Sequence, residues 1–210
     1  MRESGILMHI TSLPAPYGIG TMGKDAYAFV DFLVRAGQRY WQILPLTPTG
    51  YGDSPYQSLG ACAGNHYLID LDRLADEGLL KKEEIQDIPW GSNPARVDFG
   101  AMYAHRMNVL RQAFQRFTPD GAYETFVEQN RSWLEDYALF TALKDTLGGK
   151  PWLDWPEALR LRKADALTEK RRELSDEIRL QYFVQYEFDR QWKALRSYAN
   201  AKGVRIIGDG

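Results

Sequence analysis

Two short apolar runs on either side of one amphipathic helix limit what this chain can fold into more than any other feature. GILMHI, Gly5 to Ile10, is bounded by polar residues and by Pro14; YWQILPL, Tyr40 to Leu46, is broken by Pro45 and Pro48. Aliphatic and aromatic runs of this length read as buried strands. Between them, from Lys24 to Ala36, the residues Ala26, Phe29, Val30, Leu33 and Val34 recur at helical spacing, and Gly37 supplies the stop. Strand, loop, helix and strand in that order form a βαβ unit, so the two strands are expected to be parallel with a right-handed crossover. Parallel α/β folds bind ligands at the carboxyl ends of their strands. Two turn-rich segments leave from that end, Thr11–Gly23 and Leu46–Asn65.

The second segment is the richer in chemistry. A loop of roughly twenty residues without its own periodicity is uncommon in a compact domain and is usually functional. It holds Tyr51, Asp53, Ser54, Tyr56, Gln57, Ser58 and Asn65. These offer flat aromatic faces and hydrogen-bonding groups, with no cationic cluster, metal-ligand set or phosphate cradle. Such a mixture suits a sugar better than a nucleotide. Each residue also has a plainer reading. Tyr56 either meets a ligand or packs the loop, and Tyr51 is a platform or an ordinary turn tyrosine. Asp53, between Gly52 and Ser54, either grips a hydroxyl or bonds its own backbone in a turn. Gln57, Ser58 and Asn65 read as loop scaffolding, since a polar loop must satisfy its own backbone.

Beyond Asp70 the text turns helical. A second extended piece is expected from His66 to Leu71, then a short helix from Leu71 to Glu77 stopped by Gly78. Asp98 reads as the N-cap of a helix through Phe117, with Met102, Tyr103, Leu110, Ala113, Phe114 and Phe117 on one face. Another helix spans about Ala122 to Thr146; Pro156 is placed to start a further one. A long helix runs from Ser175 to Lys202, Gly203 caps it, and Val204 to Gly208 is a third strand candidate. Trp133, Tyr137 and Trp192 fall at core spacing on these helices. Three strands thus enclose roughly 130 mostly helical residues, far more than an ordinary crossover needs. The expected organisation is a barrel portion at 1–70, a helical subdomain at 71–202 and a third strand at 203–210.

The text YGDSPYQS at Tyr51–Ser58, followed by AGN and YLID within Ala63–Asp70, closely resembles the amylomaltase family of 4-alpha-glucanotransferases. VDFG (Val97–Gly100), WLEDYALF (Trp133–Phe140), KPWLDWP (Lys150–Pro156), FVQYEFDRQW (Phe183–Trp192) and GVRIIGD (Gly203–Asp209) extend the resemblance over essentially the whole chain. It implies an α/β fold, the N-terminal part of a (β/α)8 TIM barrel, with a large helical subdomain inserted between strands 2 and 3. It implies transfer of alpha-1,4-glucan segments among maltooligosaccharides with retention, without a metal or organic cofactor. Tyr56 and Ser54 match positions lining the sugar sites, and Tyr51 matches a position tied to a second glucan site. Asp53, His9 (at the end of the first strand) and Asp209 (at the end of the third) are further substrate-binding candidates, with turn, core packing and capping as their respective alternatives. Retaining chemistry needs two carboxyl groups about 5 Å apart. In this family they follow later barrel strands, so no residue of this chain is expected to be the nucleophile or the acid/base. A barrel typically takes about 250 residues even without insertions. The chain, whose family would continue past Gly208-Asp209 with a different residue from Gly210, is therefore expected to be an N-terminal piece that does not turn over glucan alone. The rival expectations are a noncatalytic glucan-binding remnant, an alpha-amylase-like hydrolase fragment and a helical interaction module.

Composition enters as a set of exclusions. Lys plus Arg is 26 against 28 for Asp plus Glu, a net charge of -2, which argues against nonspecific nucleic-acid binding. Cys62 is the only cysteine, so no intrachain disulfide is possible; its small apolar neighbours suggest a buried thiol. His9, His66 and His105 are too scattered to suggest a metal site. The apolar run near Met1 is too short and polar for a signal peptide and nothing approaches a membrane span, so the cytoplasm is expected.

Overall fold

The computed structural model describes residues 2–50 and 52–208. Three parallel strands, β1 (Gly5–Leu7), β2 (Tyr40–Gln42) and β3 (Arg205–Ile207), form one sheet in the order β1-β2-β3. Their register is level: Gly5 faces Tyr40, and Tyr40 faces Arg205. The helices are α1 (Lys24–Arg35), α2 (Leu71–Asp76), α3 (Glu83–Gln86), α4 (Phe99–Arg116), α5 (Gly121–Thr146), α6 (Glu157–Arg160), α7 (Ala164–Glu173) and α8 (Ser175–Ala201). None of the described helices is long and apolar enough to cross a membrane.

The chain divides into two compact units. One comprises residues 1–118 and 187–210, the other residues 119–186. The first contains the sheet, and its core gathers Ile10, Met22, Val30, Leu33, Trp41, Ile43, Leu195 and Val204. Trp41 is fully buried, and its indole N–H donates to the carbonyl of Met8 at 2.7 Å. Losing such a ring to alanine typically costs ~3–5 kcal/mol. The second unit has its own core, with Leu139, Leu143, Trp155, Leu159 and Leu167, and Trp155 stacks on Phe140. Trp133 and Tyr137 are half-buried at the margin of this unit, packed ring against ring.

Two of the strands are launched by the same device. After α1 the N–H of Gly37 donates to Val34 and that of Gln38 to Leu33; after α8 Gly203 donates to Asn200 and Val204 to Ala199. These paired bonds are a Schellman motif, with glycine in the left-handed region at φ +68 and +79. Each turns the chain straight from a helix into the sheet. The N–H of Arg205 then donates to the carbonyl of Arg39 at 2.9 Å.

Several expectations change. The apolar runs are longer than the strands within them: Ile10–Ser12 is a 3-10 turn, and β2 ends at Gln42 although the N–H of Ile43 still donates to Ile207. The piece expected to be extended from His66 is a 3-10 turn, His66–Leu68, because the Asn65 side chain accepts from the N–H of Tyr67 and curls the backbone. Cys62 is exposed rather than buried, on the outer limb of the loop. Two helices, α6 and α7, follow Pro156, which is the N-cap of the first rather than its first helical residue.

Candidate functional site

The loop after β2 is closed at its base by a 2.7 Å bond from the N–H of Asn65 to the carbonyl of Leu46. Within it, Thr49 and Ser58 form an antiparallel bridge, and the N–H of Gly50 donates to Gln57 at 2.9 Å. The tip between them is a tight turn. Asp53 takes a left-handed φ of +56, its N–H reaches Gly50, and the N–H of Gln57 reaches Ser54. The hydroxyl of Ser54 accepts from the N–H of Tyr56 at 3.3 Å, and that of Ser58 both donates to and accepts from Gly60. The loop thus meets its own backbone needs with its own small polar groups. Tyr56 is carried on the outside of this hairpin with 62% of its surface exposed.

Tyr103, on the first turns of α4, anchors the tip from outside. Its hydroxyl donates to Asp53 Oδ1 at 2.8 Å and lies 3.3 Å from the Gly50 carbonyl. Partial burial and the Asp53 carboxylate push the Tyr103 phenol up to about 12. Tyr103 is itself 58% exposed, so the expectation that it lies on the buried face of α4 fails. The buried face is instead Met102, Arg106, Val109, Leu110 and Ala113. Met102 and Tyr103 are adjacent, and the helix turns the second of them outward.

The far limb of the loop rests on a buried polar cluster. Arg106 is fully buried; its Nη2 donates to the carbonyls of Tyr67 (3.0 Å) and Ile69. Burial pulls its guanidinium down to about 10, and Asp70 offsets part of that cost. Asp70 caps α2 through the N–H of Arg73 and accepts from the Thr21 hydroxyl at 2.7 Å. The N–H of Asp70 donates to Gln191 Oε1 at 2.7 Å, which ties α8 to the same point. His66 lies beside this cluster with its ring against Tyr67, and burial together with the Arg106 charge pushes its pKa down to about 3. Arg106 was not anticipated from the sequence. The signal was there: a charge four residues after Met102 and four before Leu110, in the middle of the apolar stripe.

The six candidates are therefore not gathered into one site by what is described. Asp53, Ser54 and Tyr56 share the hairpin tip. Asp53 is a turn residue whose carboxylate also accepts a bond from α4, so both readings of it meet in one place. His9 lies apart at the end of β1, half-buried, with Nδ1 lacking a hydrogen-bond partner among the described residues and with burial lowering its pKa. Tyr51 and Asp209 lie outside the described residues. Among those described, no group of His, Cys, Asp and Glu is disposed to hold a metal ion.

Comparison with known proteins bears on the family of the chain. Residues 8–210 match the family Glyco_hydro_77, described as 4-alpha-glucanotransferase. A 4-alpha-glucanotransferase of Thermus thermophilus is 50% identical over 214 residues, covering 99% of this chain and 42% of the relative. Another, from Clostridium butyricum, is 47% identical over 204 residues, covering 96% and 42%. Among solved structures, the amylomaltase from Streptococcus agalactiae in complex with acarbose superposes with a TM-score of 0.96 at 46% identity, over 100% of this chain and 43% of that one. The chain thus spans about two fifths of the length of the relatives it matches.

Proposed function

Because this chain belongs to the 4-alpha-glucanotransferase family, we propose that it supplies part of the sugar-binding mouth of a 4-alpha-glucanotransferase. The protein would transfer alpha-1,4-glucan segments between maltooligosaccharides, starch or glycogen chains with retention. The three level parallel strands support reading it as the opening part of a (β/α)8 barrel, the hairpin after β2 standing at the mouth. A carboxylate elsewhere would attack the anomeric carbon while a carboxyl acid protonates the leaving oxygen; a second glucan's 4-hydroxyl would then take the glycosyl group from the enzyme. The residues of this chain position substrate for those steps. Tyr56 offers a ring face, and Ser54 and Asp53 shape the turn that holds it out.

The observation that carries this reading is the exposed Tyr56 on a hairpin closed at its base and anchored at its tip. The backbone that carries this ring is preorganised, so a sugar loses little to ordering the hairpin. The 210-residue chain is expected to bind maltoheptaose without converting maltotriose into a ladder of longer and shorter oligomers. Tyr56→Ala should weaken that binding about two- to twelvefold, the value of one aromatic contact of ~0.5–1.5 kcal/mol. Calorimetry together with product chromatography tests both parts. A transfer ladder from the pure chain would overturn the assignment of the carboxylates to other residues, and unchanged binding by the variant would remove Tyr56 from the site. Net release of reducing ends would point instead to a hydrolase.

A further inference from the structure

Where the strands of the sheet begin, at the end opposite to the hairpin, lies an open cavity of about 500 Å³. Glu3, Arg39, Tyr40, Asn200, Gly203 and Arg205 line it, and its size falls within the range of small-molecule sites. Arg39 directly precedes β2 and Arg205 opens β3. The N–H of Arg205 donates to the Arg39 carbonyl at 2.9 Å, so the two side chains start from neighbouring strands. Both residues are exposed, and neither guanidinium has an ion-pair or hydrogen-bond partner among the described residues. The negative ends of α1 and α8 draw cations to this place. At the exit of α8 the Arg39 guanidinium comes so near that a Cβ on Gly203 would lie 3.3 Å from Nη1. The exit turns already satisfy the carbonyls of Leu33, Val34, Ala199 and Asn200 with backbone N–H groups, which leaves the guanidinium donors unspent. The one carboxylate of the lining, Glu3, accepts from the Tyr40 hydroxyl at 2.7 Å and pairs with neither arginine.

We propose that this cavity binds the phosphate monoester of a small polyol or sugar, gripped between the starts of β2 and β3. Two guanidinium groups on adjacent strands can share the oxygens of one phosphate, each as a planar fork of donors. A bare phosphate ion would also face the Glu3 carboxylate, and like charges at close range repel. An ester turns that carboxylate into an asset. Its phosphate goes to the arginines, while its hydroxyl groups donate to Glu3 and accept from the Asn200 amide. A nucleic acid would need a longer basic track than two arginines, and the chain's net charge of -2 does not supply one. An occupant would tie together the exits of α1 and α8, from which β2 and β3 start. Binding here is independent of the glucan function proposed above.

The test is a nuclear magnetic resonance titration of the 210-residue chain with glucose 6-phosphate, in a buffer free of phosphate and sulfate. Low ionic strength suits it, because the two arginines are exposed and salt screens them. The amides of Gly203, Val204 and Arg205 should shift saturably, while those of Ser54 and Gln57 in the hairpin stay still. Inorganic phosphate should bind the same place more weakly, and glucose should not bind it. Arg39→Gln and Arg205→Gln should each weaken binding at least about tenfold, the order of one charge-assisted hydrogen bond, and the double variant should abolish it. Glu3→Gln should narrow the gap between the ester and inorganic phosphate, since it removes the repulsion of the bare ion. Circular dichroism checks that the variants remain folded; the location of the shifts in the unaltered chain needs no variant. Shifts confined to the hairpin, or none, would overturn the site. Binding retained by the double variant would overturn the role of the arginines. Equal affinity for inorganic phosphate and glucose 6-phosphate would overturn the assignment to an ester.

Discussion

Arg106, fully buried on α4, holds the return of the loop from beneath. It feeds two carbonyls in the turn that returns the loop to α2 and rests on the Trp90 ring. Arg106→Ala should lower stability by at least ~3 kcal/mol, since it opens a cavity and orphans two buried acceptors. Urea denaturation measures this. Its neighbour His66 makes stability depend on pH. The folded chain protonates His66 only near pH 3, whereas an unfolded histidine does so near 6.5. Between those values the unfolded state binds more protons, so acidification through that window should cost a few kcal/mol. His9 shifts in the same direction. Glu187, which burial pushes up despite its Arg190 partner, acts oppositely by disfavouring the fold as it ionises. Comparing urea midpoints at pH 4 and pH 7 tests the histidine contribution, and His66→Gln should shrink the difference.

At the scale of elements, what could be read from the sequence was whatever a short-range rule decides. Asp98 caps α4 through the N–H of Ala101, as its place before an apolar stripe predicts. Gly37 and Gly203 end their helices where expected. The hairpin's closure followed from the need of a polar loop to satisfy itself. Tyr103 was not legible, because its partner Asp53 is fifty residues away in sequence and the periodicity reading counted it on the apolar face. Nor was the His66–Leu68 turn, which a single side chain at Asn65 bends out of extended form. The glycine exits give their own prediction. Gly37→Ala and Gly203→Ala should each cost about 1–2 kcal/mol through the left-handed backbone alone. Thermal or urea unfolding reads the loss, and Asn at either position should recover part of it.

Among the described residues the sheet has two outer strands with open edges. β1 and β3 are the outer strands, and Leu7 and Ile207 on them are 55% and 43% exposed. Apolar side chains beside unpaired strand edges favour self-association. The chain should therefore form larger species as concentration rises, and Leu7→Lys with Ile207→Lys should suppress them, as light scattering would show. The helix exits carry a last consequence. Each of β2 and β3 takes its register from the turn that immediately precedes it, Gly37 to Gln38 or Gly203 to Val204, and not from the count of residues since the previous strand. Segments between β2 and β3 are thus free to grow or shrink over evolutionary time without shifting the frame. A lineage could remodel the hairpin and the helices that follow it while inheriting the same three rungs.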